Sequence, residues 1–203
     1  MRPAAAATLT KVRARALIVI AQGKLVHKSF TIYSFSELKD LESRVIESMN
    51  KASSQIATEL FARDSQTLFS KMKFGGVGYD PLNPDRELNL IEQINQSFTY
   101  LASFYALEVL FSSHSNLAPF KLNLGTAPGS DIESVCGQLA AEVFASVTPT
   151  NNQKLRKDID KVSKTDAAFK YAFFMCPGFE LGRQTKFESN GVLVWALKGA
   201  DAL

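Results

Sequence analysis

Five short apolar runs fill the second half of the 203-residue chain, each bounded by glycine, proline or small polar residues. They are PFKLNLG (119–125), GSDIESV (129–135), LAAEVFASV (139–147), FKYAFFMC (169–176) and GVLVWALKG (191–199). Each is too short for a buried helix, and β-branched or aromatic residues recur in them, so they read as strands. One helix interrupts them. Thr150 and Gln153 have the spacing of a capping box, and Leu155, Ile159 and Val162 follow on one helical face. Helix, two or three antiparallel strands, helix, strand, strand is the order of an α/β fold with one central sheet flanked by helices.

The first half supplies the other helices. Residues 1–8 (MRPAAAAT) read as a disordered leader, and residues 9–203 as a single domain. Val12–Ile20 and LVHKSFTIYS, joined at Gln22-Gly23-Lys24, predict an N-terminal β-hairpin. Ser34 and Glu37 form a capping-box pair. Leu38, Leu41, Val45, Met49, Ala52, Ile56 and Leu60 then keep a helical stripe, with a second helical piece through Met72. The segment KFGGVGYDPLNPDRE (73–87) lacks the Gly-Lys-Ser/Thr ending of a phosphate loop and reads as a surface connection. Asn83, Pro84 and Asp85 have the chemistry of a helix start, predicting a long helix from Pro84 to about Phe111. Glu92, Gln96, Thr99 and Ser103 form a polar line along it.

Composition excludes several classes. Two cysteines, Cys136 and Cys176, are too few for a disulfide framework, and two histidines argue against a His-rich metal centre. No apolar run approaches membrane-spanning length, so the expectation is a cytoplasmic protein without membrane contact. Charge is uneven: Arg2, Lys11, Arg13, Arg15, Lys24 and Lys28 all precede Glu37, the first acidic residue. The basic segment 11–28 suits a phosphate polyanion, although a solvated strand face or a transit peptide has the same composition. Arg183 and Lys186 fall in a predicted loop, 177–190, where solvation is the simpler reading.

The strand runs contain an anomaly. Asp131 and Glu142 are acids within two neighbouring apolar segments. Alternation puts Asp131 and Glu133 on one face of the first, and Glu142, Phe144 and Ser146 on one face of the second. Two carboxylates about 4 Å apart repel by roughly 4 kcal/mol at an effective dielectric near 20. A fold accommodates them with a cation between them, a shared proton, or exposure to water. The first solution suits Mg²⁺, which takes one or two carboxylates and completes its shell with water and phosphate oxygens.

The order of elements, with SDIES (130–134) and AEVFA (141–145) on the acidic hairpin, resembles the PD-(D/E)XK nuclease superfamily, the restriction-endonuclease-like fold. The resemblance covers about residues 84–176. It implies a central mixed sheet flanked by helices, with Asp131 and Glu142 as ligands of Mg²⁺ or Mn²⁺, and Glu92 as an additional acid. It further implies phosphodiester hydrolysis on DNA, of a restriction or repair type, with a homodimer allowed. One departure stands out: where the family has a lysine, two residues after the acid, this chain has Phe144. Lys154, in the first turn of the next helix, is the substitute that position suggests, with Lys157 in reserve. A nuclease-fold protein without catalysis, binding nucleic acid or a protein partner, is the alternative that Phe144 favours. A plain α/β interaction domain with both acids solvated is a third.

Overall fold

The computed structural model describes residues 28–62, 64–125 and 127–199. The leader, most of the expected N-terminal hairpin and nearly all of the basic segment 11–28 therefore lie outside the described residues. The second strand of that hairpin is present as β1 (Lys28–Ile32), which pairs antiparallel with β4 (Phe120–Leu124).

A seven-stranded mixed sheet organises the rest. Strands β4, β5 (Ile132–Ser134) and β6 (Leu139–Ala145) form an antiparallel meander. After β6 the chain leaves the sheet as α4 (Lys154–Ser163) and returns as β7 (Phe169–Met175), parallel to β6. Strand β9 (Leu193–Ala196) adds in parallel to β7, and the two-residue β8 (Gly182–Arg183) closes that edge antiparallel to β9. The observed architecture is thus mixed α/β with a central sheet covered by helices.

Alternation along β6 and β7 explains why both runs are almost wholly apolar. Leu139, Ala141 and Val143 of β6, with Tyr171, Phe173 and Met175 of β7, face α1 (Phe35–Ala62) and α3 (Leu90–Ser113). Ala140 and Phe144, with Ala172, Phe174 and Cys176, face α4 through Leu155, Ile159 and Val162. Parallel strands covered on both faces lose the polar half of their alternation. Helix α3 is the main cover, with Leu101, Phe104, Leu107 and Leu110 buried, and α1 packs across it through Leu38, Leu41 and Val45. The Ser34–Glu37 pair caps α1: Ser34 accepts from the Glu37 N–H, and the Glu37 carboxylate accepts from the Tyr33 N–H.

Two helix starts differ from the sequence expectation. Residues 73–87 are not a bare connection, and no helix begins at Pro84. Instead β2 (Gly78–Asp80) and β3 (Asn83–Leu88) form a separate hairpin against α1 and α3. Pro84 is tolerated in this two-stranded ribbon because an edge position needs no ladder donor. The helix start moves to Asn89, whose side chain accepts from the Glu92 N–H while the Glu92 carboxylate accepts from the Asn89 N–H. A complete reciprocal box satisfies two orphan donors, more than the Asn-Pro-Asp signature offers. The hairpin docks by polar contacts: Ser48 donates to the Tyr79 carbonyl, and the Gln93 amide donates to Ser48 and Ser97. Gly78 lets the Gln93 amide come close, since a Cβ there would force that side chain to shift. The second difference is at α4. Thr150 makes no side-chain cap; Asn152 and Gln153 adopt left-handed conformations and α4 begins at Lys154.

Phe173 is fully buried at the centre of the sheet and stacks on Tyr171. Phe173→Ala should cost about 3–5 kcal/mol, and Asn89→Ala about 1 kcal/mol through loss of the α3 cap. Urea unfolding with an unchanged m-value would measure both.

Candidate functional site

The acidic hairpin acquires its geometry from strand register. Ile132 pairs with Ala141 and Glu133 with Ala140, so one step further along Asp131 stands opposite Glu142. Directly opposed residues share a face. Ile132 and Ala141 point toward α3, which leaves Asp131 and Glu142 on the α4 side. Asp131 sits just before β5, and its Oδ2 accepts a hydrogen bond of 2.8 Å from the Val143 N–H. That bond ties the carboxylate to the strand that carries Glu142.

Helix α4 brings the countercharges. Lys154, Asp158 and Lys161 recur at i, i+4 and i+7, one line beside the buried Leu155, Ile159 and Val162. Lys161 Nζ donates to Glu142 Oε2 at 2.8 Å, and Lys154 Nζ donates to Asp158 Oδ1 at 2.5 Å. Glu142 is 2% exposed and Asp158 3%. Glu142 Oε1 and Asp158 Oδ2 are buried without a hydrogen-bond partner. An unsatisfied buried oxygen costs about 1–3 kcal/mol, more when charged.

Burial and mutual repulsion push these acids upward. Loss of water, then the neighbouring Asp131, raise the Glu142 pKa to about 7 against the pull of the Lys161 ammonium. Burial also lifts Asp131, opposed by the Val143 N–H, and lifts Asp158, opposed by Lys154. Burial works against the Lys161 charge, but its hydrogen bond to Glu142 and the surrounding carboxylates hold its pKa above the ordinary value.

A cleft of about 370 Å³ opens beside the cluster at the carboxyl end of β6. Thr99 of α3, Asp131, Ser146, Asn151, Asn152 and Lys154 lie on its walls. Open α/β sheets place ligands outside the carboxyl ends of their strands, and this volume is within the range of ligand sites. Asp131 reaches the cleft, whereas Glu142 lies behind it under α4.

The structure thus brings Asp131 and Glu142 together and leaves the other expected residues in different roles. Glu92 caps α3, with Arg86 3.8 Å away, roughly 10 Å along the helix axis from Thr99. Lys154 lines the cleft but pairs with Asp158, and its Nζ stands 5.6 Å over the Phe144 ring. Lys157 is exposed and off the charged line. Phe144 is a core residue, 4% exposed, packed with Phe174 beneath α4. Arg183 makes a two-pronged ion pair with Glu188, and Lys186 lies over the rings of Phe179 and Phe187, so the 177–190 loop uses its cations internally. Asp158 and Lys161 are the residues that sequence reasoning missed. Their signal was present as the 154/158/161 spacing on a helix already predicted.

The donor set fits a hard divalent ion in part. Two opposed carboxylates, one with a bare buried oxygen, are what Mg²⁺ takes from a protein when water and phosphate oxygens supply the rest. Among the described residues no group of three or more His, Cys, Asp or Glu side chains forms a ready-made cage. No helix among them is long and apolar enough to cross a membrane.

The raised Glu142 pKa has a definite sign in the stability of the fold. A carboxyl whose folded pKa exceeds its unfolded value stabilises fully below the unfolded value, and that contribution is lost as pH rises through the folded one. The melting temperature should therefore fall between about pH 4.5 and about pH 7 more steeply in the native chain than in Glu142→Gln. Identical slopes in thermal scans would show that Glu142 is not desolvated as described. No protein-family model, curated protein or solved structure matches this chain, so its chemistry is read from these side chains.

Proposed function

We propose that the chain is a nuclease-like protein of the cytoplasm that hydrolyses phosphodiester bonds in DNA with Mg²⁺ or Mn²⁺ held by Asp131 and Glu142. The observation that carries this reading is the opposition of those two carboxylates across the β5–β6 hairpin, beside an open cleft and under a helix that delivers two ammonium groups. The succession α3, β4, β5, β6, α4, β7, with β5 antiparallel to its neighbours and β7 parallel to β6, supports the restriction-endonuclease-like resemblance. When bound, the ion would polarise the scissile phosphate and lower the pKa of the attacking water.

The remaining work falls to this chain's own groups. Asp131 is the acid that the cleft reaches, and the Val143 N–H fixes its orientation. Lys154, whose side chain is 43% exposed, borders the same cleft, where its ammonium can pair with a phosphate oxygen. Asn151, Asn152 and Ser146 add hydrogen-bonding groups for the backbone of the substrate. Phosphoryl chemistry relies on such positioning and charge stabilisation more than on covalent participation by the protein. Phe144 emerges on the same face of β6 as Glu142 and is packed beneath α4. A second reading is a nuclease-fold protein that binds nucleic acid without cutting it. It is favoured by Phe144 in the lysine's place and by the burial of Glu142.

Incubation of the full chain with plasmid and single-stranded DNA in Mg²⁺ or Mn²⁺ decides between them. Cleavage is expected, with a loss of at least about 100-fold in Asp131→Ala and in Glu142→Ala, the scale of losing a preorganised electrostatic contact. Cleavage that survives both substitutions rejects the site. DNA binding that weakens steeply with salt, without cleavage, supports the second reading.

A further inference from the structure

The ion pair between Lys161 and Glu142 bears on how a divalent ion could enter. Glu142 is 2% exposed, and the Lys161 ammonium already occupies its Oε2 at 2.8 Å. The lysine side chain is itself 51% exposed. Its stem reaches in from solvent and is not threaded through the core. Helix α4 is held to the sheet by Leu155, Ile159 and Val162, none of which depends on the ammonium. Lys161 can therefore swing out while α4 stays docked. Lys154 is differently placed: it is engaged with Asp158 and stands over the Phe144 ring. A divalent ion on Glu142 is repelled by an ammonium at contact distance on the same carboxylate, so Lys161 weakens ion binding for as long as it stays there.

We propose that Lys161 is a tethered competitor of the metal: it neutralises Glu142 in the ion-free protein, withdraws when a divalent ion binds, and so sets the affinity of the site. This rests on the reading of Asp131 and Glu142 as metal ligands and assigns a regulatory cation to it. The unpaired Glu142 Oε1 fits the same picture, since Lys161 satisfies only one side of a carboxylate that has a second oxygen facing no partner. Lys161 acts through Glu142 and is a positioning residue of the site.

Binding of Mn²⁺ to the full chain, followed by the loss of the free-ion electron paramagnetic resonance signal, tests the proposal without recourse to activity. Lys161→Met should bind Mn²⁺ at least about 10-fold more tightly than the native chain, one decade corresponding to about 1.4 kcal/mol. Lys161→Arg, which keeps the charge, should stay within about 3-fold of the native value, and so should Lys157→Met, at an exposed lysine off the charged line of α4. Glu142→Gln should abolish the gain in the Lys161→Met background. Thermal melts of each variant confirm that the compared chains are folded. If Lys161→Met binds no more tightly than the native chain, the competitor role is overturned while the metal reading stands. If no variant binds Mn²⁺ at millimolar concentration, both are overturned. A gain in Lys157→Met equal to that in Lys161→Met also overturns the assignment, because it would reflect general charge and not the contact with Glu142.

Discussion

A carboxylate in the middle of a strand covered on both faces is largely cut off from bulk water. Glu142 is in that position. Its neighbours on the same face, Ala140 and Phe144, are packed under α4, and the opposite face of β6 is packed against α3. Moving a single charge into such surroundings costs several kcal/mol unless other groups compensate. The architecture around Glu142 is that compensation. Asp131 shares its face and worsens the repulsion, Lys161 relieves it, and Lys154 performs the same service for Asp158. Three acids share two ammonium groups, and two carboxylate oxygens, Glu142 Oε1 and Asp158 Oδ2, are left bare. A purely structural network would be better served by apolar residues of the same size, which are often neutral or stabilising in place of buried ion pairs. On the proposed reading, the bare oxygens beside the cleft are the ones a ligand would take up.

The division of labour between sheet and helix follows from Phe144. On a strand, the residue two places beyond Glu142 emerges on the same face, and here that position lies under α4. A phenyl ring fills it and anchors the helix through the same cluster as Leu155 and Ile159. The helix then returns cationic groups to the acids from above. Lys154 crosses the ring it helps to cover, and Lys161, two turns on, reaches Glu142 itself. Packing and charge placement are coupled by one aromatic residue.

Much of this was legible before any coordinates. Period-two alternation put Asp131 with Glu133 and Glu142 with Phe144 and Ser146 within their own runs, because a strand's side-chain direction is set by its backbone; that the two acids share one face came from the register of the hairpin. The stripe of Leu155, Ile159 and Val162 located α4, and the continuous apolar run 169–176 located the doubly covered β7. The start of α3 was misread because Asn-Pro-Asp is a local signal. Docking of the β2–β3 hairpin through Ser48, Tyr79 and Gln93 depends on residues from three separate elements. Lys161 escaped for a similar reason. It lies 19 residues from Glu142 along the chain, and only the crossover from β6 through α4 to β7 makes them neighbours. Glu92 took a different place for the same reason: once α3 starts after Asn89, it is the acid of the capping box, at the positive end of the helix dipole.

The β5–β6 hairpin carries Asp131, Glu133 and Glu142 and no base; among the described residues, the ammonium groups that pair with Glu142 and Asp158 come from α4. The assembled charge pattern therefore does not exist in any intermediate in which the β4–β6 meander has formed but the crossover helix has not docked. A nascent or partly unfolded chain would present a pair of repelling carboxylates, which tends to keep that hairpin open. The chemistry of the site is in this sense a product of a tertiary contact, the docking of α4, so that the cluster exists only where the crossover helix is in place.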